Sequence, residues 1–214
     1  MSDDILMKIT QSLVDIEPDQ TTELTEEALA AGLAPLTIIN EGLVPGMDII
    51  GQKFQTGEYF LPQMVIAATA MQQAMELLEP ELRARQESVE VPGTLVIGTV
   101  QGDIHEIGKS LVATMMSANG FRVYDVGVDV SAEAFVDKIK ETGANLLGLS
   151  ALLTTTMTAQ RDVIEALEEA GLRDQVKVMV GGAPVTPEWA EAIGADGYAE
   201  DVIGAVELGR QLVA

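Results

Sequence analysis

The 214-residue chain contains no cysteine, which excludes disulfides, thiolate metal sites and cysteine nucleophiles. Cations are scarce: 12 lysines and arginines stand against 34 acidic residues, a formal charge of -22. Nucleic acid and anionic membrane surfaces both call for a basic footprint, so neither is an expected partner. No apolar stretch approaches the length of a membrane span. The opening Met1-Ser2-Asp3-Asp4 lacks a basic then apolar leader, so a cytoplasmic location is expected. Histidine is reduced to one residue, His105. One histidine without cysteine makes a poor zinc site, which needs three or four protein ligands.

What is present divides the chain in two. Up to about Arg85 little reads as strand. Thr22 or Thr25 is a candidate cap for a helix carrying Ala28, Leu29 and Ala30, and Pro35 opens a short segment over 36–39. A third helix fits 43–54, with Pro45 in its first turn. Leu61, Met64, Val65, Ala68, Met71, Met75 and Leu78 recur in steps of three and four, one apolar face of a long helix expected to end before Pro80. Four or five short helices make a small bundle. Residues 83–93 are polar, then turn-like, and read as a linker between a helical domain over 1–88 and a second domain over 89–214.

In the second part strand and helix patterns alternate. Strands are expected at 94–100, 121–126, 146–150, 176–180 and 196–198, and helices at 107–119, 131–142, 157–170, 187–193 and 200–212. That alternation predicts an α/β domain with a mostly parallel sheet covered on both faces. Sites in such sheets lie beyond the carboxyl ends of the strands. Here those ends carry Gly102-Asp103, Gly127-Val128-Asp129, Ser150-Ala151-Leu152 and Gly181-Gly182-Ala183.

His105 falls at the first of these ends, in Asp103-Ile104-His105-Glu106-Ile107-Gly108. A lone histidine is more often an ordinary surface or hydrogen-bonded residue. An aspartate two positions earlier, however, can take one ring proton and leave the other nitrogen free for a metal. A macrocycle that fills the equatorial positions of its metal needs only one or two axial partners, which suits a single imidazole. Asp103 as the phosphoacceptor of a signalling receiver fits less well, because the first strand lacks an acidic pair at its end and the fourth runs into Gly181-Gly182. The glycines do not follow a dinucleotide spacing. Gly98 and Gly148 lie inside expected strands, where they either bend the strand or open a slot for a long ligand arm, and Gly181-Gly182 leaves access at a strand end. Ser150, Thr154, Thr155 and Thr156 bring hydroxyls to the same rim, although Thr155 or Thr156 would equally cap the next helix.

Asp103-x-His105-x-x-Gly108, then Ser150-x-Leu152, then Gly181-Gly182 resembles the cobalamin-binding signature of methionine synthase and of the corrinoid proteins of methyltransferase systems. Gly57-Glu58-Tyr59-Phe60-Leu61-Pro62 and Ala67-Ala68-x-Ala70-Met71 resemble the helical cap of the same proteins, so the likeness spans nearly the whole chain. The resemblance implies a small helical bundle followed by a Rossmann-like, flavodoxin-like domain. It implies cobalamin, as methylcobalamin and Co(I) corrinoid, bound base-off with His105 as the lower cobalt ligand. Asp103 would hold His105 and Thr156 would support that pair. Ser150 and Thr154 would touch the inserted base, Gly108 would let backbone pass under the corrin, and Gly181 and Gly182 would flank the nucleotide tail. Gly102, Ile104 and Leu152 complete the expected cofactor-binding set. Phe60, Leu61 and Met64 are candidates to lean over the methyl group, or else plain bundle core.

The implied role is a methyl carrier more than an enzyme. It would take a methyl group from a substrate-specific methyltransferase, with methanol, a methylamine, a betaine or a methoxylated aromatic as donor. It would deliver to a second methyltransferase acting on tetrahydrofolate or coenzyme M, and a reductive activation protein would restore the cobalt. The acidic surface would steer docking to basic rims on those partners. The rival readings are a cobalamin-dependent sensor, a mutase subunit and a cofactor-free interaction module.

Overall fold

The computed structural model describes residues 2–85 and 91–214. The chain forms two compact units, Met1–Glu90 and Val91–Ala214. The expected boundary at 88/89 and residues 86–90 of the expected 83–93 linker lie outside the described residues, while 83–85 belong to the preceding helix and not to a linker.

The first unit is helical: α1 (Ser2–Val14), α2 (Pro18–Ala30), α3 (Pro35–Ile38), a π-helical turn at Ile39–Leu43, α4 (Val44–Gln55) and α5 (Leu61–Arg85). Ile9, Leu13, Ile38, Leu43, Ile50 and Leu78 are fully buried within it. Two expectations need correction. Neither Thr22 nor Thr25 caps α2, which starts earlier with Pro18 in its first turn. Their hydroxyls instead donate back to the carbonyls of Pro18 (3.0 Å) and Thr21 (2.8 Å), the usual outlet for a threonine inside a helix. Nor does α5 stop before Pro80. Pro80 lies on the exposed side, while Leu78 and Leu82 on either side of it are buried, so the apolar face carries the helix through the missing N–H.

The second unit alternates as the sequence predicts: β1 (Thr94–Thr99), α6 (Ile107–Ala118), β2 (Arg122–Asp125), α7 (Ala132–Thr142), β3 (Leu146–Ser150), α8 (Thr158–Glu169), β4 (Lys177–Gly181), α9 (Pro187–Ala192), β5 (Gly197–Tyr198) and α10 (Val202–Val213). Local chemistry sets several ends. The side chains of Ser131, Thr186 and Asp201 cap α7, α9 and α10, and Gly143 closes α7 at φ +66°. The strands pair in parallel in the order β2-β1-β3-β4-β5, the doubly wound arrangement. Its connectivity reverses between β1 and β3, where two neighbouring strands send their chains to opposite faces and a crevice opens beyond their carboxyl ends.

The two faces of the sheet are filled differently. Val96, Val100, Leu147, Leu149, Val178 and Val180 pack on one side with Phe135 and Val136 of α7 and Val163, Ile164 and Leu167 of α8. By the two-residue alternation of strands, Ile97, Gly148 and Met179 lie on the other side, and register places them in one row across β1, β3 and β4. Gly98 belongs to the packed side. A Cβ there would stand 2.6 Å from Val126 and 2.7 Å from the Phe135 ring, so this glycine makes room for an aromatic side chain and opens no slot. Gly98→Ala should therefore overpack the core and lower stability by about 1–3 kcal/mol, measured by urea unfolding. A wild-type midpoint would contradict this packing.

Candidate functional site

The segment after β1 carries the chemistry, and its backbone is fixed before its side chains act. Gly102 turns the chain at φ +84°. Its N–H donates to Asp129 Oδ1 (2.7 Å), while the Asp129 N–H donates to the Asp103 carbonyl (2.9 Å). Asp129 itself sits at φ +53°, a left-handed backbone that aspartate tolerates better than most residues. Further on, the buried Thr99 hydroxyl donates to the His105 carbonyl (2.7 Å). The first turn of α6 is tied back to the end of β2 by the buried Lys109, whose ammonium pairs with the Asp125 carboxylate.

Asp103 is completely buried, and its carboxylate gathers five donors. Oδ1 accepts from the His105 N–H (3.1 Å) and lies 2.7 Å from His105 Nδ1. Oδ2 accepts from the N–H groups of Leu152 (2.7 Å) and Leu153 (3.2 Å) and from the Thr156 hydroxyl (2.7 Å). Burial alone would raise the carboxyl pKa. The hydrogen bonds from Thr156, His105 and Leu152 outweigh it and hold Asp103 well below the usual carboxylate range. With the folded value depressed, this stabilisation is complete above the unfolded value of about 3.9 and is lost only as pH falls through the folded value. The carboxylate therefore draws together the strand ends of β1 and β3. Thr156 contributes its hydroxyl to this cluster and does not cap α8, whose N-cap residue is Met157 without a side-chain bond.

A carboxylate on Nδ1 places the proton there and leaves the Nε2 lone pair unused. The ring is about half exposed (47%), and Nε2 has no hydrogen-bond partner among the described residues. Around it the surface is unusually apolar. Ile104 (75%), Ile107 (80%), Leu152 and Leu153 are the exposed large hydrophobic residues of the second unit, and all flank His105 in sequence or through Asp103. From this rim a cavity of about 680 Å³ extends over the Ile97-Gly148-Met179 row, between Val112 of α6 and Ala205 of α10. Ile104, His105, Gly108, Ser150, Leu152, Gly181 and Gly182 all line it.

Each expected residue thus has a definite place. Gly102 and Thr156 are not in the lining; they act through their hydrogen bonds to Asp129 and Asp103. Thr154 is exposed and lies outside the lining. A Cβ on Gly108 would meet nothing within 4 Å, so the space above it is open. Gly182 has a more compelling reason to be glycine than ligand access: at φ +124° a Cβ would stand 1.9 Å from the Ala151 carbonyl oxygen. In the first unit Phe60 is exposed (63%), Leu61 half-buried and Met64 buried. Sequence reasoning placed Asp129 at a strand end without a role and did not single out Thr99 or Lys109; Asp129 and Lys109 act on segments 27 and 16 residues away.

No group of three or more His, Cys, Asp or Glu side chains converges among the described residues. A metal at this rim would meet one protein nitrogen, with an apolar platform around it and a long slot beside it. These features suit a flat macrocycle that brings its own equatorial ligands and trails a polar arm.

Comparison with known proteins gives that class its place. Residues 93–207 and 5–79 match two family models, each described as a B12 binding domain. The chain is 45% identical over 211 residues to trimethylamine corrinoid protein 1 of Methanosarcina acetivorans, covering 99% of this chain and 98% of that one. It is also 45% identical to dimethylamine corrinoid protein 2 of the same organism, over 99% and 97%. The fold matches the methanol:cobalamin methyltransferase complex of Methanosarcina barkeri with a TM-score of 0.89 at 29% identity, over 99% of this chain and 80% of that one. The chain belongs to the B12-binding family of corrinoid proteins of methyltransferase systems. No helix among the described residues is long and apolar enough to cross a membrane.

The polar hub yields a direct expectation. Asp103→Asn keeps the shape but replaces one acceptor oxygen by an N–H₂ group facing donors, so the apoprotein should lose about 1–3 kcal/mol in urea unfolding. Unchanged stability would show that the carboxylate does not organise the strand ends.

Proposed function

We propose that this chain is a corrinoid methyl carrier that binds cobalamin base-off, with His105 Nε2 as the lower axial ligand of cobalt and the nucleotide tail in the cavity between α6 and α10. The observation that carries the reading is the orientation of His105: Nδ1 is engaged by a buried, ionised Asp103 and Nε2 is unengaged at an apolar rim. When bound, cobalamin supplies a cobalt centre that takes up a methyl group and passes it on.

The residues of the chain would act around that centre. Asp103 fixes the ring plane and the tautomer of His105, so that Nε2 faces the metal. Thr156 and the Leu152 and Leu153 amides keep Asp103 ionised, so it stays an acceptor throughout. Ile104, Ile107, Leu152 and Leu153 exclude water beneath the ring. Gly148 removes side-chain bulk from the floor of the slot, and the Ser150 hydroxyl, unpartnered among the described residues, offers a polar contact to the inserted base.

Because named relatives carry trimethylamine and dimethylamine in their names at equal identity, we assign the donor side to a methyltransferase for a methylated amine. The acceptor side falls to a second methyltransferase, acting on coenzyme M or tetrahydrofolate, with a reductive activation protein returning oxidised cobalt to service. All of these would act in the cytoplasm.

His105→Ala should keep most cobalamin binding through the slot, change the visible spectrum of the loaded protein, and slow methyl transfer roughly 10–100-fold. A spectrum identical to wild type would remove His105 as ligand.

A further inference from the structure

Behind the cavity, on the opposite face of the sheet, lies a buried polar group that none of the chemistry above uses. Gln160 of α8 is fully buried. Its Nε2 donates to the carbonyls of Leu149 on β3 (3.0 Å) and Gly181 on β4 (3.3 Å). Its Oε1 accepts from Nε1 of Trp189 on α9 (2.9 Å). Arg161 stacks over that indole, 5.0 Å from the ring. Both N–H groups and the oxygen of the amide are therefore matched, the condition under which a buried polar network confers rigidity at little cost.

The location gives the network its meaning. Strands β3 and β4 pair as far as Ser150 and Gly181, and the segments that follow bring Leu152, Gly182 and Ala183 to the lining of the cavity. The Gly181 carbonyl accepts from the Ala151 N–H (3.2 Å) as well as from Gln160. One side chain thus bridges the two strands at the point where their ladder ends, immediately behind Ser150, Gly181 and Gly182. An apolar residue would pack against the neighbouring valines and leucines but would leave the spacing of the two strand ends to the ladder alone.

We infer that Gln160 is a positioning residue that holds in place the β3 and β4 ends at the rim of the tail slot, and so makes binding depend on the nucleotide arm of the corrinoid. This rests on the proposed placement of the tail. The test compares dissociation constants, from visible titrations, for cobalamin and for cobinamide, the same corrin without its nucleotide. Wild type should prefer cobalamin. Gln160→Met should reduce that preference about tenfold by weakening cobalamin while leaving cobinamide within about twofold. Trp189→Phe, which removes only the donor to Oε1, should reduce it by about threefold and serves if the methionine variant does not fold. The sole tryptophan also reports on the network directly, since its emission in the apoprotein should shift when Gln160 is replaced. A wild-type preference retained in both variants overturns the inference, as does an equal loss for both corrinoids. If wild type itself shows no preference, the tail placement fails, and this inference with it.

Discussion

The site depends on one buried anion. Asp103 is fully buried and has no lysine or arginine partner among the described residues, and its negative charge is balanced by hydrogen-bond donors from two strand ends. An unpaired buried carboxylate would simply take up a proton. Five donors keep it ionised, and four of them are backbone N–H groups or a histidine ring that themselves need an acceptor there. The same interaction assembles the loops after β1 and β3 and sets the tautomer of the only histidine. Structure and chemistry at this site are consequently difficult to alter separately.

The sheet supplies the second constraint. A parallel sheet covered on both faces ordinarily fills each face with side chains of β-branched and leucine type. Here the α7–α8 face is filled that way, whereas the other face carries glycine at its centre, flanked by Ile97 and Met179. The space left over Gly148 continues the switch-point crevice into a slot along the sheet. Gly182 and Gly98 show that glycine in such a fold answers to more than one demand. The first admits the Ala151 carbonyl and the second the Phe135 ring.

Much of this was legible from the residues alone. The five strands and their intervening helices in the second unit fall within a residue or two of the expected ranges, because each is bounded by glycine, a capping residue or a change of hydrophobic period. The pairing of Asp103 with His105 was readable from a two-residue spacing, and the contribution of Thr156 followed from the family resemblance. The first unit was less legible. Proline suggests a stop at 80 that continuous burial of Leu78 and Leu82 overrides, and threonines that resemble caps lie inside α2. The supporting residues Lys109, Asp129 and Gln160 left no local signature. Each acts on a segment 16 to 27 residues away, or across two strands, and only the folded register brings those partners together.

The most direct test uses the fact that the chain has a single histidine. Growing the protein on ¹⁵N-histidine labels only His105, while the nitrogens of added cobalamin remain ¹⁴N. In the EPR spectrum of the divalent cobalt form, an axial ¹⁴N splits each cobalt line into three and an axial ¹⁵N into two. The account predicts that labelling converts the threefold pattern to a twofold one. A threefold pattern that persists in the labelled protein would mean that the benzimidazole of the cofactor still holds the metal, and the central assignment would be wrong.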